Sequence, residues 1–111
     1  EASARAAVAQ VQRHSRAASA HHNMWAFRLD GAGGKAVAQC DDDGEDRAGA
    51  RILGTLKAEG ALDIVVVVSR WFGGVNLGPA RFTHISTAAR LLLQGCGCRP
   101  GVAAQQHALD P

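Results

Sequence analysis

Five aliphatic residues in a row, Ile64-Val65-Val66-Val67-Val68, run directly into Ser69-Arg70-Trp71-Phe72-Gly73-Gly74 and then Leu77-Gly78-Pro79. The near-continuous aliphatic stretch from Asp63 to Val68 reads as a strand that is covered on both faces or central in a sheet, because strict alternation would leave every second position polar. The residues behind it change character at once. A cation and two aromatic rings are followed by two glycines, and Pro79 suits the first turn of a helix, where its missing N–H is not needed. A chain with this run must therefore build a sheet in which this strand is covered on both faces or lies centrally, with a turn of dense chemistry at its end.

The rest of the chain supplies the cover. Ala4, Val8, Val11, Ser15 and Ala18 recur at helical spacing, predicting a helix from Ser3 to about Ala20. Arg5, Arg13 and Arg16 fall largely outside that stripe, as either a solvated basic face or a phosphate-contacting one. Met24 to Leu29 alternates, with aromatics at Trp25 and Phe27, and reads as a strand. Gly31-Ala32-Gly33-Gly34 is a turn, so Lys35 to Cys40 is expected to return as an antiparallel partner. Ala48, Ile52, Leu53 and Leu56 mark a short amphipathic helix with Lys57 in its last turn and Gly60 as its stop. A second such helix begins at Pro79, buries Phe82, Ile85, Ala89 and Leu92, and ends at Gly95. Beyond Gly95 the sequence reads as a loose polar tail.

A strand, a single helix and a strand in succession make the two strands run the same way. The loop after Cys40 and the loop after Val68 must then leave the sheet at one edge, and the N-termini of both following helices point there too. That edge is the expected site, since open sheets place ligands at the carboxyl ends of such strands. The first loop is acidic, Asp41-Asp42-Asp43-Gly44-Glu45. Its carboxylates admit two readings. They satisfy free helix amides, as Asp42 with Glu45 or as Asp46, while Glu45 or Asp43 pairs with Arg70. Alternatively Asp42, Asp43 and Glu45 hold a divalent cation, although no ligand follows at the twelfth position of a calcium loop.

Other chemistry is thin. Gly73, Gly74 and Gly78 permit close backbone approach, but neither a P-loop ending nor GxGxxG is present. His84 is a candidate general base with no nucleophile beside it. Cys96-Gly97-Cys98 and His21-His22 lack a second pair at zinc spacing. Three cysteines in 111 residues suit a reducing compartment better than a disulfide scaffold, and no run approaches the roughly 20 apolar residues of a membrane span. A formal charge of +2 permits nucleic-acid contact without arguing for it. The chain reads as one domain, with its core over about 2–95 and a tail over 96–111, from a larger cytoplasmic protein. No catalytic residue, cofactor or metal is assigned.

Taken together, Asp42-Asp43-Gly44-Glu45, Ala48-Gly49, Arg51, Val66 to Gly74, Leu77-Gly78-Pro79, Arg81-Phe82 and His84-Ile85 resemble the Impact family, whose bacterial relatives are the YigZ-type proteins. His22-Asn23 before the Trp25-Ala26-Phe27 strand matches that pattern as well. Asp46-Arg47 and Asn76 depart from it, standing where relatives commonly have smaller or apolar residues. The resemblance implies an α+β, two-layer α/β sandwich like the second domain of ribosomal protein S5, with about four strands in a mixed sheet and helices on one face. An initial strand before the first helix is also expected in the family, as is an RWD domain in eukaryotic members or a C-terminal ferredoxin-like domain in bacterial ones. It implies a non-catalytic regulator of translation under stress, binding the ribosome-associated activator of a starvation-sensing initiation-factor-two kinase, with actin as a further partner. A ribosome- or nucleic-acid-binding module and an enzyme at the acidic loop stand as alternatives. The expected partner-binding residues are Asp42, Asp43, Glu45, Arg70, Trp71, Phe72, Gly73, Gly74, Arg81 and His84.

Overall fold

In a computed structural model that describes residues 2–71, 78–96 and 102–106, the aliphatic run becomes β3 (Ile64–Arg70), buried at every position. Its neighbour β1 (His22–Asp30) pairs with it antiparallel, Trp25 facing Val67 and His22 facing Arg70. On the other side of β1 lies β2 (Ala36–Asp41), also antiparallel, returned through a 3-10 turn over Ala32–Gly34. These three make the antiparallel sheet. A short β4 (Val102–Gln106) lies beside β3 in parallel register, giving the order β2-β1-β3-β4. The expected count of about four is reached only with β4, and it comes from the stretch read as a loose tail. Its Val-Ala-Ala-Gln-Gln sequence carries little strand signal of its own.

Two helices cover one face. From α3 (Ala48–Ala58) come Ala48, Ile52 and Leu56, and from α4 (Ala80–Cys96) come Ile85, Ala88, Ala89 and Leu93. They close over Met24, Ala26, Ile64, Val66 and Val68, the even-numbered set of the two central strands. Leu53, Phe82 and Leu92 border this core rather than fill it. The end of α3 is set by Gly60 at φ 66°, with Gly60 N–H donating to Lys57 O and Ala61 N–H to Leu56 O, a Schellman closure that satisfies the last carbonyls.

The expectation of helices on one face is corrected. Helix α1 (Ala2–Gln12) lies against the opposite face, where Ala4 and Val8 pack with Phe27, Val65 and Val67 and are bordered by Val11, Trp25 and Leu29. The odd-numbered residues of both strands are as apolar as the even ones, and burying such side chains is worth about 1.5–3 kcal/mol each. One layer of helices would leave that face in water.

The first helix is also shorter than predicted. It stops at Gln12, and a separate turn, α2 (Ser15–Ala18), follows. No proline or glycine causes the break. The redirected chain buries Ala17, leaving Ala18 exposed in place of the predicted stripe, and turns the Ala17 carbonyl toward β1.

Gly49 shows how closely α3 meets the sheet. A Cβ there would lie 2.7–2.8 Å from the backbone of Asp41. At Gly54, further along the same helix, it would meet nothing within 4 Å. Gly49→Ala is expected to destabilise the fold by about 1–3 kcal/mol, as overpacking does. Gly54→Ala is expected to stabilise it by about 0.5–1 kcal/mol through helix propensity. Urea denaturation of the two variants, with opposite shifts in midpoint, checks both.

Candidate functional site: the rim at the ends of β2 and β3

Strands β2 and β3 are separated by β1 and run the same way, so both end at one edge of the sheet. Alternation then decides what each side chain meets. Arg70 shares the face of Val66 and Val68, beneath the helix N-termini; Ser69 shares the face of Val65 and Val67.

On the helix side, Glu45 reaches into the gap between the loops. It is only 7% exposed, and Arg70, the last residue of β3 rather than a loop residue, is 4% exposed. Arg70 Nη1 donates to Glu45 Oε2, and Arg81 Nε donates to Glu45 Oε1 at 3.0 Å. Arg81 also donates from Nη1 to the Gly78 carbonyl at 2.8 Å, closing the turn before α4. One carboxylate thus ties β3 and α4 to the loop that follows β2. Burying a lone carboxylate would cost several kcal/mol, and two guanidinium partners offset that cost.

The remaining carboxylates are largely committed to backbone. Asp42 Oδ1 accepts from Gly49 N–H at 2.7 Å and Oδ2 from Arg47 N–H at 3.1 Å. Asp42 therefore caps α3 from outside, because the local N-cap residue, Arg47, sits at φ 67° and makes no side-chain cap. Asp43, at φ 45°, accepts the Asn23 N–H on Oδ2 at 2.7 Å, and its own N–H donates to Asp41 Oδ2 at 3.0 Å. The Asp43 carbonyl lies 2.8 Å from His22 Nδ1, which as its donor carries the ring proton. Asp46, the other proposed cap, is exposed and makes no described hydrogen bond.

Across the sheet, Asn23 is a buried hub. Its Nδ2 donates to the Ala17 carbonyl at 2.8 Å, its Oδ1 accepts from Ser69 Oγ at 2.6 Å, and its carbonyl accepts from Gln12 Nε2 at 3.3 Å. Ser69 is its directly opposed cross-strand partner. Asn23 and Ser69 were missing from the expected site residues; the only sequence signal for Asn23 was its place in the family pattern. Trp71 is half-buried, and its Nε1 donates to Ser19 Oγ at 3.0 Å.

The structure thus brings together Asp42, Asp43, Glu45, Arg70 and Arg81. His84 is exposed on α4, with no described contact to Glu45 or Arg70. Phe72, Gly73 and Gly74 lie outside the described residues, as do Gly97-Cys98 and the side chains of Ser15, Arg16 and Cys96. Among the described residues no three His, Cys, Asp or Glu side chains are grouped to hold a metal ion, and no helix is long and apolar enough to cross a membrane. On the basic first helix, Arg5 donates to Gln39 and lies 6.0 Å from the Trp25 ring, so that cation is engaged within the fold.

The model of the Impact N-terminal domain matches residues 1–93. The chain belongs to the Impact family. It is similar to Protein IMPACT homolog of Schizosaccharomyces pombe, 43% identical over 86 residues, covering 78% of this chain and 31% of that protein. Protein IMPACT of Bos taurus is 44% identical over 87 residues, covering 78% of the chain and 27% of that protein. Protein IMPACT of Homo sapiens is 40% identical over 87 residues, again 78% and 27%. The Impact domain described here therefore spans less than a third of the length of these relatives. No solved structure matches it.

Cys40, at the foot of the acidic loop, has its thiol pKa raised, first by partial burial of the sulfur and then by the Asp42 and Asp41 carboxylates, with Lys57 opposing. A raised pKa means less thiolate at a given pH, so iodoacetamide is expected to alkylate native Cys40 more slowly than the urea-unfolded chain near neutral pH. The gap should close as pH rises past both values, followed on the Cys40 peptide by mass spectrometry. Truncation at the rim tests the ion pairs. Glu45→Ala is expected to cost about 3–5 kcal/mol by leaving Arg70 buried without its carboxylate. Arg81→Met, whose side chain is 25% exposed, is expected to cost about 1 kcal/mol. Urea melts of both variants separate these values.

Proposed function

We propose that this Impact domain is a non-catalytic protein-binding module of translation control, acting in the cytoplasm through the rim at the ends of β2 and β3. The observation that carries the reading is the buried Glu45, held by Arg70 and Arg81. A salt bridge of this kind fixes the acidic loop to β3 and α4 without leaving its charges free for chemistry. Around it, the exposed Asp43, Asp46 and His84 and the half-buried Trp71 stay at the surface. A rigid platform with an aromatic and charged border is the composition of interface hot spots. The catalytic alternative has less support, since Asp42 and Asp43 use their oxygens on backbone amides.

The partner follows from the family. By resemblance, Impact proteins engage the ribosome-associated activator of a starvation-sensing initiation-factor-two kinase and limit its signalling, and actin is a further candidate. Strand order and the two-helix layer support reading the fold as similar to the second domain of ribosomal protein S5. Asp42, Glu45, Arg70 and Arg81 would position the rim; Asp43, Trp71 and His84, with Phe72, Gly73 and Gly74 next in sequence to Trp71, would meet the partner.

Retention of the activator on immobilised domain is expected to fall at least tenfold with the double substitution Trp71→Ala and His84→Ala, with an unchanged circular-dichroism melt. Full retention by that folded variant would show that the rim is not the binding surface.

A further inference from the structure

On the solvent side of α3 and α4, away from the sheet, lies a cleft of about 460 Å³. Three rows of residues spaced by four line it, each on one face of its helix. From α3 and its flanks come Arg47, Ala50, Arg51, Gly54, the buried Thr55, Ala58 and Glu59, and from α4 come Ser86 and Arg90.

The charge is one-sided, with three guanidinium groups against the single carboxylate of Glu59. Among the described residues none of the three arginines is in an ion pair, whereas the buried Arg70 and the partly exposed Arg81 share a carboxylate. Arg51 is held by stacking, its Cζ 5.3 Å from the centre of the Phe82 ring. Three of the lining residues, Ala50, Gly54 and Ala58, are exposed along α3 and carry no side chain beyond a methyl group. Gly54 lies mid-helix with open space where its Cβ would be, so neither packing nor backbone conformation requires glycine there. A glycine at such a position costs stability, and what it provides is room above the helix backbone.

We propose that this cleft is a docking site for an acidic peptide segment of a partner protein, its carboxylates paired with Arg47, Arg51 and Arg90 and its backbone lying over Ala50, Gly54 and Ala58. Guanidinium groups pair with carboxylates in bidentate geometry, and the small exposed side chains along α3 leave room for an extended chain. Glu59 at one end favours a peptide over a nucleic acid, because it repels a uniformly anionic backbone and accepts a basic or amide residue at the segment's end. The thiol, the rim carboxylates and the sheet face carry no part of this assignment, and it does not rest on the rim as a binding surface.

The test is fluorescence anisotropy of a labelled eight-residue peptide of alternating glutamate and glycine, titrated with the whole chain at low salt. A saturable rise is expected, weakened at least tenfold by Arg47→Glu with Arg90→Glu and at least threefold by Gly54→Leu, with circular-dichroism melts no lower than that of the unsubstituted chain. Trp71→Ala with His84→Ala is expected to leave this binding intact, which separates the cleft from the rim. Absence of saturable binding overturns the proposal, as does full affinity in the folded double-charge variant. Tighter binding of a single-stranded oligoribonucleotide of equal charge, lost on the same substitutions, would overturn it in favour of a nucleic-acid site.

Discussion

The Glu45 carboxylate is the point on which the architecture of the rim depends. It comes from the loop after β2, yet its partners are the end of β3 and the first turn of α4. A buried ion of either sign is tolerated only where the fold supplies its opposite. The requirement therefore reaches beyond the pair. β2 and β3 must end at the same edge, α3 must begin high enough for Asp42 to cap it, and α4 must enter close enough for Arg81 to reach back. Each of these follows from the strand order, in which β1 separates two strands that run the same way. Glu45 acts as a clasp on a topology already chosen by burial of the aliphatic run.

The same edge carries a second, differently built fastening on the other face. There the residues are neutral. Asn23, Ser69 and the Ala17 carbonyl form a closed set in which each buried polar atom has a partner, as low-dielectric surroundings demand. Its role is to attach the α1–α2 segment to the sheet. That explains why the helical stripe breaks at Arg13: a continuous helix would carry Ala17 away from β1 and leave Asn23 Nδ2 buried without its acceptor. Two chemistries, ionic above and amide below, thus hold the one rim.

How much of this could be read from residues alone depended on whether the signal was local. A strand either covered on both faces or central in the sheet was legible, since Ile64 to Val68 has no polar position. So was the common edge, because one crossover helix fixes relative strand direction whatever lies between. Pairing of Glu45 with Arg70 followed as the natural neutralisation of an anionic loop, but choosing Glu45 over Asp43 required knowing which residue the φ 45° turn at Asp43 sends inward. The placement of α1 was not legible from the expectation of a single helical layer, though Trp25, Phe27, Val65 and Val67 already described a second apolar face. Asn23 could not be distinguished from any polar residue at a strand entrance. β4 was hidden because its pairing is long-range and its composition neutral.

Rim and cleft are physically connected through one ring. Phe82 borders the helix-side core, with the Arg81 guanidinium 4.4 Å and the Arg51 guanidinium 5.3 Å from its centre. Arg81 is fixed by Glu45, so the position of Phe82 is fixed in turn, and with it the platform on which Arg51 stands at the cleft. A change at the buried carboxylate would then be felt some distance away, as loosening of a cation rather than loss of a contact. The reverse route is weaker. Arg51 is exposed, and an exposed cation over an aromatic ring contributes about 0.5–1 kcal/mol, too little to displace a buried ion pair. Coupling between the two surfaces, where present, should therefore run mainly from the rim to the cleft in the sense of mutational sensitivity, while any equilibrium coupling of two bound ligands remains reciprocal by thermodynamic necessity.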